Sequence, residues 1–98
     1  MLIAFSLSPA STSADGSVTE AVAKAVRIVR ESGLPNETTS MFTTIEGEWD
    51  EVMAIIKLAI DALAESSPRV GLVLKADIRP GHTGQLTAKV DRINDILS

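Results

Sequence analysis

From Leu2 to Ser8 apolar and small or polar residues alternate: Ile3, Phe5 and Leu7 face one way, Ala4, Ser6 and Ser8 the other. A period of two with one apolar side marks a half-buried strand. The following PASTSADGS is a loop by composition. From Ser17 the period changes. Val18, Val22, Ala25, Val26 and Val29 recur at helical spacing, with Glu20, Lys24, Arg27 and Glu31 forming a solvated stripe. Ser17 and Glu20 read as a capping box, and Gly33 as the stop in the left-handed position after the last turn. Glu20–Lys24 and Arg27–Glu31 are spaced as i,i+4 pairs. Valine is a mediocre helix former, so packing must hold this helix more than propensity does.

Residues 34–39 (LPNETT) and 43–46 (TTIE) are short and rich in β-branched side chains, which predicts a hairpin turning near Ser40–Phe42. A second helix is predicted from about Trp49 to Ser66. Its buried stripe is Val52, Ile55, Ile56, Ala59 and Leu63, and its acidic start, Glu48, Asp50 and Glu51, suits the positive end of the helix dipole. Trp49, Met53 and Ile60 widen the apolar arc and predict a further partner surface. Pro68 prevents continuation. Arg69 to Arg79 reads as the clearest strand: Val70, Leu72, Leu74, Ala76 and Ile78 take one face, Gly71, Val73, Lys75, Asp77 and Arg79 the other. Pro80, Gly81 and Gly84 break it. Leu86, Val90, Ile93 and Leu97 mark a closing helix.

The order is strand, helix, strand, strand, helix, strand, helix. Two right-handed strand–helix–strand units around a central hairpin predict an α+β, ferredoxin-like βαββαβ sandwich with an extra C-terminal helix, residues 1–98 forming a single domain. Helices would cover one face of the antiparallel sheet. The other face, with Leu2, Ala4 and Val73, needs a cover, which predicts a homo-oligomer.

Composition narrows the function classes. The chain is 45% hydrophobic but only 3% aromatic, so its core is aliphatic. It has no cysteine, which excludes disulfide and thiolate chemistry and fits a reducing compartment. A net charge of −4 argues against nucleic acid, whose binding rests on a basic face. The opening MLIAFSLSPA lacks the charged start of a secretory signal, and Ser6 and Ser8 interrupt its apolar run. No other run reaches membrane-spanning length, so a cytoplasmic protein without a membrane partner is expected.

Catalytic constellations are sparse. His82, the sole histidine, lies in the loop RPGHTG without a second metal-ligating partner, and reads as a solvated loop residue. No nucleophile–base–orienter set is evident, which predicts a non-enzyme without a metal or cofactor. The uncovered sheet face is more informative. Alternation sends Ser6, Ser8, Thr44, Glu46, Lys75, Asp77 and Arg79 there. One reading is a solvated or interface face stitched by ion pairs such as Glu46 with Lys75 or Arg79. The other is a polar pocket at a subunit junction, where carboxylates hold a cation or amino group and hydroxyls orient it. Gly47 reads as the joint between strand and helix.

The stretches AFSLSP, VAKAVRIVRESGLPNETTSMFTTIEGEWDEVMAIIKLAIDAL, RVGLVLKADIRPG and LTAKVDRI follow one another in order over nearly the whole chain. Together they resemble a family of small thiamine-binding, ferredoxin-like proteins long held to be of unknown function. The most specific piece is Met41 with Thr43, Thr44, Ile45, Glu46 and Gly47, leading straight into the acidic helix start. The resemblance implies a cytoplasmic homodimer or homotetramer that binds thiamine, or its hydroxymethylpyrimidine part, without turning it over. It implies ligand contacts at Ser6, Ser8, Met41, Thr43, Thr44, Glu46 and Asp77. The alternative is a ligand-free structural or regulatory assembly module. Ser40 and Phe42 depart from the proline and glycine expected around the methionine, and a phenylalanine at the turn would fill part of a ligand cleft.

Overall fold

The computed structural model describes residues 1–10 and 18–98. Strand β1 (Leu2–Pro9) is followed by α1 (Val18–Glu31), the hairpin β2 (Asn36–Thr38) and β3 (Thr43–Glu46), α2 (Trp49–Ala64), β4 (Val70–Asp77) and α3 (Gln85–Leu97). The four strands lie in the order β2-β3-β1-β4, every neighbouring pair antiparallel. This is the ferredoxin-like sandwich with a third helix appended. The capping role expected of Ser17, and the loop before it, lie outside the described residues.

Pleating explains which residues meet. Ile3 pairs with Ile45 and Phe5 with Thr43, so these side chains share one face, where α1 and α2 pack. Ile3, Phe5, Val29, Ile45, Val52 and Ile56 form the main core; Ala25, Ala59 and Leu63 form a smaller one against Leu7 and Val70. Burying an aliphatic side chain is worth about 1.5–3 kcal/mol, and these residues supply most of what holds the layers together. Lys24, expected to pair with Glu20, reaches instead across the helix pair to Glu65 at 3.5 Å, and both side chains are mostly solvated.

Gly33 ends α1 with φ of 81°, as its spacing predicted. The hairpin turns at residues 39–42. Thr39 holds it: its N–H donates to the Phe42 carbonyl at 2.9 Å, and the Phe42 N–H donates to Thr39 Oγ1 at 3.3 Å. At the start of α2 the Glu48 N–H donates to Glu51 Oε1 at 3.1 Å, so the acidic start caps the helix as well as meeting its dipole.

Three expectations change. β4 has no buried residue, because it is an edge strand: Val70 and Leu74 pack part-buried against the helical core, while Leu72 and Ala76, expected on the same face, stay exposed; Arg79 and Ile78 fall beyond its end. Val22 and Val26 of α1 are not fully buried, for a reason given below. Gly47 is more than a joint: a Cβ there would sit 3.1 Å from both Leu34 Cδ1 and Val52 Cγ2, so close packing demands its missing side chain. Among the described residues no helix is long and apolar enough to cross a membrane.

Candidate functional site

The residues marked by the sequence divide among separate hollows, because strand alternation sends neighbours to opposite sides of the sheet. The first hollow is a cleft of about 230 Å³ between the β2–β3 turn, the middle of β1 and α1. Ser6, Met41 and Thr43 line it, with Val22, Val26 and Phe42. Here lies the reason that Val22 and Val26 escape full burial: they form the cleft's helical wall. Thr43, on the core face of β3, is buried, and its Oγ1 lies 3.4 Å from Thr38 Oγ1 on the paired strand. The hydroxyls therefore face each other across the hairpin. Met41 stands exposed at the turn. The described lining contains hydroxyl, thioether and hydrocarbon groups and no ionisable side chain.

Thr44 and Asp77 occupy the opposite face. With Leu2, Ala4, Lys75 and Lys89 they line a groove of about 380 Å³. Two ammonium groups against one carboxylate make this groove a poor receptor for a cation. Ser8 lies apart from both, exposed at the far end of β1 opposite Gly71.

Glu46 belongs to a third place. It is only 7% exposed, and its carboxylate serves the start of α3: the Gln85 N–H donates to Oε2 at 2.9 Å and the Leu86 N–H to Oε1 at 3.3 Å. Gly84, the N-cap, has no side chain to satisfy these donors, so a residue from β3 does so. The expected ion pair of Glu46 with Lys75 or Arg79 does not form; the ion pairs found among the described residues are Lys24–Glu65 and Lys57–Asp61. Beside Glu46 a hollow of about 420 Å³ opens between Met1, Leu34, Pro35 and the His82–Gly84 loop. His82 is exposed there, and among the described residues no three His, Asp or Glu side chains gather as a metal site would need.

Thr38, Val22 and Val26 are among the cleft residues that sequence reading missed, with Phe5, Leu7, Ala25, Thr39 and Ser40. Thr38 was discoverable from hairpin register, because it pairs with Thr43. The two valines looked like ordinary core positions.

A model of the thiamine-binding protein family matches residues 3–94. The chain belongs to the thiamine-binding protein family. Within the same group of relatives, a UPF0045 protein of Mycobacterium bovis is 48% identical over 98 residues, covering 99% of this chain and 94% of its own. The fold recurs in solved structures. A Bacillus cereus domain of unknown function, DUF77, has a TM-score of 0.84 at 30% identity, over 97% of this chain and 90% of its own. A Thermotoga maritima protein, whose name assigns it provisionally to thiamine biosynthesis or salvage, has a TM-score of 0.75 at 25% identity, over 95% and 99%.

Proposed function

We propose that residues 1–98 form one binding unit that takes up thiamine through its pyrimidine half, in the cleft between the β2–β3 turn and α1. The observation that carries this reading is that the buried Thr43 and the turn residue Met41 line one uncharged cleft. Sites for drug-sized ligands start near ~300 Å³. A cleft of about 230 Å³ is scaled to one substituted ring rather than two. Thr43 and Thr38 offer hydroxyls that both donate and accept, matching the amino group and ring nitrogens of a pyrimidine. Met41 supplies a polarisable thioether and Phe42 an aromatic face beside the ring. The thiazolium then stays at the mouth, in the field of a chain whose net charge is −4.

The binding is non-catalytic in this reading. A nucleophile needs a base within reach, and no ionisable group is found among the cleft's described residues. The same reading places the protein in the cytoplasm as a homodimer or homotetramer, with no nucleic-acid or membrane partner. The second reading, a ligand-free assembly module, draws on the uncovered apolar side of α3. Calorimetric titration separates the two. Saturable binding of both thiamine and hydroxymethylpyrimidine is expected, and a ligand at a hundredfold its Kd should stabilise the fold by about 2.7 kcal/mol. Absence of heat and of thermal shift with both compounds would leave the assembly reading standing alone.

A further inference from the structure

Leu2 pairs with Glu46 on one side and with Asp77 on the other. The segments that continue past those two residues therefore leave the sheet at the same end. One opens α2 with Glu48 and Trp49; the other runs from Ile78 to His82. Between them lies a hollow of about 250 Å³, bordered by Glu48, Trp49, Ile78, Arg79, Pro80 and His82. It shares no residue with the cleft under the Met41 turn. One wall is preformed. The His82 N–H donates to the Arg79 carbonyl at 3.2 Å, and Gly81 between them has φ of 80°. Proline at the second position and glycine with positive φ at the third make this a type II turn. Arg79 and His82 are its two ends, and both border the hollow. The other segment contributes Trp49, 50% exposed, and Ile78 beside the turn is 60% exposed. Glu48 and Arg79 border the same hollow without pairing; the ion pairs among the described residues are Lys24–Glu65 and Lys57–Asp61.

We propose that this hollow is a second binding site, and that it takes a free α-amino acid with an aromatic or large apolar side chain. Arg79 and the His82 imidazole receive the carboxylate, Glu48 the ammonium, and Trp49, Ile78 and Pro80 the side chain. A guanidinium offers a carboxylate two parallel donors in a fixed fork, and the Trp49 indole offers a face for stacking. Charge decides between ligand classes. A simple anion would approach a chain of charge −4 and meet Glu48; a simple cation would meet Arg79. A zwitterion has no net charge and brings an opposite charge to each of them. Size agrees, since the hollow lies below the ~300 Å³ at which sites for drug-sized ligands begin. Because the turn already holds Arg79 and His82 together, little freedom of the backbone is lost on binding. The proposal does not rest on thiamine binding, which uses other residues.

Trp49 is the sole tryptophan, so its emission reports on this hollow directly. Titration with L-phenylalanine should give a saturable change. N-acetylphenylalanine lacks the ammonium and phenethylamine the carboxylate, and each should bind roughly tenfold more weakly. Arg79→Gln should weaken phenylalanine binding by roughly tenfold, with circular dichroism and thiamine affinity as in the parent. Glu48→Gln should weaken phenylalanine and leave N-acetylphenylalanine as it was, because only the former presents an ammonium. A response to phenylalanine that does not saturate overturns the proposal. Equal affinity for the three compounds does so too, as does unchanged phenylalanine affinity in Arg79→Gln. Failure of thiamine to bind a protein that still binds phenylalanine would strike the functional proposal alone.

Discussion

The carboxylate of Glu46 lies 2.9 Å from the backbone nitrogen of Gln85, a residue 39 positions later in the chain. One buried side chain on β3 thereby determines where the last helix begins. Hydrogen bonds to a charged acceptor contribute about 1.5–3 kcal/mol.

Glu46→Gln keeps the shape but turns an amide group toward two N–H donors that need acceptors. The expected result is release of α3 at a cost of about 1.5–3 kcal/mol, read as faster amide exchange across residues 85–97. Exchange in β1 and α2 should hardly change. If residues 85–97 keep the parent's protection, Glu46 does not anchor the helix.

Thr43→Val removes the hydroxyl buried in the cleft and leaves the volume almost constant. Affinity for hydroxymethylpyrimidine should fall by roughly tenfold, the equivalent of about 1.4 kcal/mol. Calorimetry on the variant checks it. Equal affinity in parent and variant would remove Thr43 from the site.

Phe42→Ala enlarges the same cleft from the turn side. The parent cleft is scaled to one ring, so the variant should gain affinity for thiamine relative to hydroxymethylpyrimidine. Competition between the two ligands measures that ratio. A ratio that stays put means that Phe42 does not limit the cleft.

Gly47→Ala brings a methyl within 3.1 Å of Leu34 and Val52 side chains. Overpacking of this kind costs typically about 1–3 kcal/mol, so the urea midpoint should fall with little change in slope. A neutral result would show that Leu34 and Val52 repack freely.

The family resemblance and the succession of elements were legible in the chain because period-two and helical patterns report local backbone geometry. Ile3, Phe5, Ile56 and Leu63 occupy the core where periodicity put them. Thr43 and Thr44 show where that legibility stops. They are adjacent in sequence and belong to one motif, yet pairing with Phe5 and Ala4 turns them to opposite faces of the sheet. The cleft forms where the β2–β3 turn, the middle of β1 and α1 meet, and no local pattern records that meeting. The role of Glu46 depends likewise on a contact across 39 residues, made because Gly84 lacks a capping side chain. β4 had the strongest strand signal, yet of the apolar face read from alternation Val70 and Leu74 pack on the core while Leu72 and Ala76 stay exposed, because alternation reports which side chains share a face and burial depends on how far the helices reach along it. Sequence by itself determined the elements and the family; tertiary packing decided which marked residues share a site, because only packing brings separate strands and helices within contact distance.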